Sequence, residues 1–407
     1  MLHSKRPLAL VILLALAMFL IGCGSPHSSS SSPAANSVPG YGEGTGASGQ
    51  TAPAKFLYAN PAGLGGPYAL AIQSGGPLAL ETAGSADNIH PMNMAIDPSG
   101  SFLFQTALGY DGGTLGGLFA YVIDGSNGSL ATASGSPYMT AQSLFADIVD
   151  NTGKFLYVQG TSGVYAFSIQ SGTGVLAPLP GSPFALAGPP SSPGFSAPAS
   201  LMAIDQTDHF LYVSTSAGIS AYMIDPSTGQ LTALSGSPFG AAVSSSWTIV
   251  ITPNNQFLYE LQSTNTGLLY GYNIDASSGA LAPLSGSPFS VGNCGISMVT
   301  GVPGPDNMTI ASAGKFLYDN CGIYSLDQKT GAVAQVSNFG AGDWPVIDPT
   351  GDFLWAITAQ QNCFQCDVGV TAYQVDSNTG ALTAVPNSFL VLTNSEVGYV
   401  DGLAITQ

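Results

Sequence analysis

Few side chains in this sequence are placed to do chemistry. Of the four histidines, His90 has the imidazole best suited to general-base work, because its ordinary pKa lies near neutrality. Asp147, Glu260 and Glu396 complete the candidate catalytic set, as carboxylates able to take a proton or to help hold a cation. Each has a plainer alternative: a lone loop histidine is solvated, and a strand aspartate is paired or water-bound. The chain has no Gly-X-Ser-X-Gly elbow, no His-Glu-X-X-His zinc motif and no phosphate-binding glycine loop, so no motif prescribes a reaction. The catalytic residues stay open, and no cofactor is expected beyond a possible Ca²⁺ held by several carboxylates, for which no EF-hand spacing exists.

Charge narrows the partners. The formal net charge is −17, and two of the six basic residues, Lys5 and Arg6, precede an apolar run at the N-terminus. Without them the charge is −19, and Lys55, Lys154, Lys315 and Lys329 are the only cations left beside 23 acidic residues. Phosphate backbones are bound by clustered Lys and Arg, so nucleic acid is excluded as a partner. The acidity has two readings, Asp-rich turns with solubility or a surface that attracts cations.

The apolar run from Leu8 to Ile21, following Lys5 and Arg6, has the layout of an export signal and is too short for a permanent span. It ends in Leu20-Ile21-Gly22-Cys23, which resembles the bacterial lipobox. That resemblance implies a signal peptide over 1–22, lipidation of Cys23 and attachment to a membrane through the acyl chains. Gly24 after the cysteine resembles lipoproteins sorted to an outer membrane where the host has one. Residues 23–54 carry a serine run from Ser28 to Ser32 with scattered Pro, Gly and Ala and no core-forming pattern. They are expected to be a disordered tether spanning on the order of 30 Å.

From Lys55 onward one string recurs seven times: Phe56-Leu57-Tyr58, Phe102-Leu103-Phe104, Phe155-Leu156-Tyr157, Phe210-Leu211-Tyr212, Phe257-Leu258-Tyr259, Phe316-Leu317-Tyr318 and Phe353-Leu354-Trp355. The spacing of 37 to 59 residues is that of a four-stranded propeller blade with variable loops. Six strings follow a tight turn such as Asp97-Pro98-Ser99-Gly100, which itself follows a short apolar strand. We label that strand A and the Phe-Leu-Tyr strand B. A third strand, C, then leads through a turn such as Thr228-Gly229-Gln230-Leu231 into a fourth, D, which runs on into Gly-Ser-Pro-Phe. The first string lacks a strand A, whereas Gly402 to Thr406 at the C-terminus is a strand A without a B. Pairing the two closes the ring. The expected fold is all-β, a seven-bladed propeller over 55–407 with its ring closed by the C-terminal strand.

This frame sorts the candidates by face. D-to-A and B-to-C loops share one end, where His90, Glu260, Asp319, Asp343, Trp344 and Glu396 form an expected acidic and aromatic rim. Asp147 stands in strand A where the other blades have Met94, Met202, Ile249, Met308, Pro345 and Leu403. Cys294 and Cys321 fall in loops of the same face and are expected to pair, and Cys363 with Cys366 to form a local bridge, as export permits.

The repeats, in this order, resemble the lactonase-type seven-bladed family of 6-phosphogluconolactonases and carboxymuconate cyclases, and the related Tyr-Val-Thr-Asn repeat surface proteins. The resemblance covers Lys55 to Gln407 and implies a lactone hydrolase or related ring-opening enzyme, with Arg, His and Glu at the channel mouth. This chain departs from that pattern. Its only arginine is Arg6, and Met92 stands where the enzymes carry the histidine of a Pro-His pair, with His90 a neighbour. The residues thus favour a cell-envelope binding module for a small molecule, glycan or protein on the loop face, with the hydrolase as the alternative.

Overall fold

The computed structural model describes residues 56–61, 67–82, 89–109, 116–140, 143–190, 201–242, 246–262, 267–291, 307–311, 313–320, 322–338, 342–359, 367–393 and 400–406. The expected signal peptide, tether and lipidated Cys23 lie outside these residues, as do Glu396, Cys294, Cys321, Cys363 and Cys366. The described residues form seven antiparallel sheets of four strands in the order A-B-C-D, two of them with a short extra strand, and contain no helix. In blade 3 the four are Leu144–Val149, Phe155–Gly160, Gly163–Ile169 and Leu176–Pro178. The inner strands pack on one another in succession around the ring, the last against the first. The protein is a seven-bladed β-propeller.

Closure follows the register that the orphan strand called for. Val400–Ile405 pairs antiparallel with Phe56–Pro61, setting Leu57 opposite Ile405 and Tyr58 opposite Ala404. The join reproduces an ordinary A-to-B turn with its connection cut. In blade 5, Thr252 Oγ1 accepts the Phe257 amide at 3.0 Å, while the Thr252 amide donates to the Phe257 carbonyl at 2.9 Å. Thr406 does the same to Phe56, at 2.8 Å and 3.0 Å, across 350 residues of sequence. Elsewhere an aspartate fills this role. Asp150 Oδ1 accepts the amides of Lys154 and Phe155, each at 2.7 Å, and Asp97 and Asp205 bind their own turns in the same way.

The two recurring motifs meet between blades. The C-to-D glycine of each blade lies against the strand-B phenylalanine of the blade before it, from Phe56 on Gly128 round to Phe353 on Gly76. A Cβ on any of these seven glycines would come within 2.4–2.7 Å of that ring, and all seven have φ between +66° and +97°. Glycine is needed on both counts. The aromatic residue two places after the phenylalanine then bonds that glycine's carbonyl: Tyr58 to Gly128 at 2.8 Å, Tyr157 to Gly229 at 2.9 Å, Tyr259 to Gly331 at 2.7 Å. In blade 7 the Trp355 indole N–H reaches Gly76 at 2.9 Å; blade 2 has Phe104 and no such bond, and in blade 6 the buried Tyr318 hydroxyl has no hydrogen-bond partner among the described residues.

Strand D departs from expectation in one respect, since it does not run on into Gly-Ser-Pro-Phe. In blade 3 it ends at Pro178, and the Ser182 hydroxyl accepts the Ala166 amide at 2.9 Å, interrupting the ladder with strand C. Phe184 then rejoins strand C opposite Val164. Ser136, Ser237 and Ser287 repeat the device, each before a cis proline.

Two measurements check this account. Phe155→Ala removes a ring buried against Gly229 and is expected to cost about 3–5 kcal/mol in chemical denaturation; Gly229→Ala is expected to destabilise as well, since its Cβ would meet the same ring at 2.4 Å. Deleting residues 400–407 strips blade 1 of its inner strand, so thermal unfolding of the truncated chain should lose its single cooperative transition.

Candidate functional site

The loop-face ends of strands A and B hold most of the buried polar side chains outside the turns, and neighbouring blades are bridged there. Gln105 Nε2 of blade 2 donates to Asn60 Oδ1 of blade 1 at 2.7 Å. Between blades 2 and 3, Thr106 Oγ1 donates to Asp147 Oδ1 at 3.2 Å, and Asn93 Nδ2 to the Asp147 carbonyl at 3.1 Å. Gln159 Nε2 donates to the Ser214 carbonyl at 2.9 Å, joining blades 3 and 4, and the Ser214 hydroxyl donates to Glu260 Oε1, joining 4 and 5. Thr248 donates to Asn307 at 3.0 Å between blades 5 and 6, and Trp344 Nε1 to the Leu403 carbonyl at 3.1 Å between blades 7 and 1.

This belt corrects the expected rim. Glu260 is not a loop residue: it sits within strand B of blade 5, paired with Ile249 and Tyr270, and is wholly buried. Asp343 and Trp344 open strand A of blade 7 and are buried too. A bulge before Val346, with Trp344 at φ +53°, turns the indole into the interface between blades 7 and 1. Asp319 is fully buried at the end of strand B in blade 6 and accepts the Gly322 amide at 2.7 Å. The backbone of His90 pairs with Leu108 in blade 2, and its side chain lies outside the described residues. Asn60, Gln105 and Gln159 were missed by the sequence reading. Their only signal is a polar residue three or four places after the strand-B phenylalanine, where a strand end and a loop look alike.

Asp147 occupies the expected inner-strand position, opposite Val158, as Met94 lies opposite Gln105 and Met202 opposite Val213. It is buried, and its Oδ2 makes no hydrogen bond. Burial pushes its carboxyl up to about 8, with Thr106 and the backbone amides of Ala95 and Thr106 pulling the other way. The group is therefore a neutral acid in the folded chain near neutrality, able to donate a proton and unsuited to holding a metal there. Among the described residues no three His, Cys, Asp or Glu side chains converge on a possible ion. The carboxylates expected to hold Ca²⁺ are in part buried and apart and in part outside the described residues.

The raised pKa makes stability depend on pH. The folded state holds this proton up to about pH 8, while the unfolded chain releases it near 3.8, so the contribution is full below pH 4 and is lost as pH rises toward 8. In thermal melts between pH 5 and 8.5, Asp147→Leu is expected to raise the midpoint and to remove that part of the decline, whereas Asp147→Asn removes the decline without the gain in packing.

No family model matches the sequence, and no curated protein matches it. Solved structures do. A candidate 6-phosphogluconolactonase of Bacteroides fragilis aligns at a TM-score of 0.63 and 14% identity, covering 88% of this chain and 100% of its own. A second, from Bacteroides uniformis, aligns at 0.64 and 15%, over 87% and 100%. The periplasmic gluconolactonase of Pseudomonas aeruginosa aligns at 0.61 and 16%, over 87% and 99%. Identities this low carry the fold and not the activity. What the chain shares with these structures is its propeller fold.

Proposed function

We propose that the chain is a lipid-anchored propeller of the bacterial cell envelope whose loop-rich face binds a small molecule, glycan or protein. The observation that supports binding over catalysis is where the polar groups go. At the loop end of the inner strands, side chains such as Asn60, Gln105, Asp147 and Gln159 are engaged in joining blades, and Glu260 is buried in one such joint. Every described lysine lies at the opposite end: Lys154 and Lys315 in A-to-B turns, Lys329 in a C-to-D turn. A phosphorylated sugar lactone needs cationic partners for its phosphate, and none of these lysines can reach the loop end. The lipobox at Cys23 and the export signal before it support the envelope location.

One observation favours the second reading, hydrolysis of an unphosphorylated lactone. Asp147 is a neutral acid on an inner strand, one blade from the strand that carries His90. A protonated carboxyl could serve a leaving alkoxide as general acid.

Purified full-length protein offered a panel of phosphorylated and unphosphorylated lactones is expected to give no turnover above the uncatalysed rate, while affinity capture from envelope extracts and a glycan array gives a saturable ligand. Turnover lost in both His90→Ala and Asp147→Asn would replace the binding reading with the hydrolase. Absence of any ligand in both binding formats would remove it.

A further inference from the structure

On the turn face, opposite the loops, an open cleft of about 680 Å³ lies between blades 2 and 3. Its walls are the A-to-B turns of the two blades and the C-to-D turn of blade 3, and its floor is Phe102, Val122, Ile123 and Ile169. The hydroxyls of Ser99, Ser101, Thr152 and Ser171 line it, with the Lys154 side chain at its edge.

The cleft exists because this interface lacks the pegs that fill its counterparts. Between blades 3 and 4, Asn151 bonds Asp208 twice, through its amide at 2.8 Å and its Nδ2 at 2.7 Å. Between blades 4 and 5 the Gln206 amide donates to Asn255 Oδ1 at 2.9 Å. At blades 2 and 3 the same two turn positions are Pro98 and Gly153, which have no polar side chain to bond across the interface. Between blades 5 and 6 the turn positions are again proline and glycine, Pro253 and Gly314, but Gln328 fills the space, donating to the Gly314 carbonyl at 2.6 Å. The residue of blade 3 that corresponds to Gln328 is Ser171, and Gly172 follows it. Proline, glycine and serine thus leave open here what larger side chains close in three other interfaces.

We infer that this cleft is a saccharide-binding site, distinct from the loop face. Its volume falls in the range of about 300–1,000 Å³ typical of small-ligand sites. Its lining has both halves of what a sugar offers: an apolar strip for C–H faces and a row of hydroxyls for ring hydroxyls. The polar side is only partly committed. The single Ser99 proton goes to Asp97, so the Ser99–Ser101 contact uses the Ser101 proton, and Thr152 donates to Asp150; the hydroxyls' acceptor lone pairs remain for a ligand. Asp97 is occupied by the amides of Ser99, Ser101 and Phe102 and does not repel the ligand as an open carboxylate would. A single lysine at the edge suits a neutral sugar or one with a single acidic group, and is too little for a polyanion.

The test is a glycan array on the full-length protein, followed by calorimetric titration with the best array ligand and with maltotriose and chitotriose as defined probes. At least one saccharide should bind saturably. Ser171→Gln places in the cleft the peg that blade 6 uses, and Ser171→Trp fills it outright; each should weaken binding by about tenfold or more. Ala276→Trp, at the matching turn position of blade 5, should leave binding unchanged, and melting temperatures of all three should stay near the parent's. No bound saccharide, or binding indifferent to both Ser171 changes, overturns the inference. Saccharide binding that survives them but is lost on altering the loop face would belong to that face instead.

Discussion

In each of the seven interfaces a phenylalanine ring from strand B lies on a glycine of the following blade, and in five of them the aromatic residue two places on bonds that glycine's carbonyl. A blade's own sheet cannot hold the ring of blades together, because its hydrogen bonds run within the blade. What couples blades is side-chain burial, and the Phe-Gly contact sets its depth and register seven times over. The Tyr58, Tyr157, Tyr212 and Tyr259 hydroxyls pass from solvent into this contact and give their protons to backbone carbonyls, which is why burial raises all four phenols. A polar tip that must find one carbonyl fixes the rotation of one blade against the next more tightly than apolar packing alone.

That coupling explains how much of the fold was legible. The Phe-Leu-Tyr string and the Thr-Gly turn are visible in the sequence as separate periodic signals, and each was read correctly as a local element. Their contact was not, because it joins residues about 70 positions apart in different blades. Closure was legible for a different reason: counting strands leaves one A and one B unpaired whatever their packing. The role of Thr406 escaped, since the position it fills carries Asp in four blades and Thr in only one, and the chain break hides the turn. Glu260 was misplaced on physical grounds that a sequence does not carry. A charged residue after a strand motif reads as the start of a loop, whereas here it is the peg that Ser214 bonds across blades 4 and 5.

The acidity of the chain also takes its meaning from the turns. Asp225 and Asp275 are exposed in C-to-D turns, where serine hydroxyls and backbone amides hold each carboxyl down near 2. Asp124, Asp327 and Asp376 are lowered by bonds of the same kind. These carboxylates are ionised because the turn needs an acceptor for its amides, so much of the negative charge is a by-product of repeating one turn chemistry round a ring. Of the two readings of the charge, the architectural one accounts for these residues without invoking a bound cation.

Asp147 is the place where this economy breaks. In the other blades its position holds Met, Ile, Leu or Pro, all of which the interface accommodates without an unmet hydrogen bond, and a buried carboxyl with one unbonded oxygen is a worse choice for stability than any of them. Repeats make that comparison unusually direct, since Met94, Met202, Ile249 and Leu403 hold the same register against strand B. Those sites carry apolar side chains, so packing alone does not call for an acid at Asp147. Its position on an inner strand, bonded by Thr106 of blade 2, places it in the interface between blades 2 and 3. The same pair of blades encloses the open cleft on the turn face. Blades 2 and 3 thus depart from the ring's average at both ends of one interface, and the two departures are independent: one adds a polar group where the repeat has none, the other removes pegs where the repeat has them.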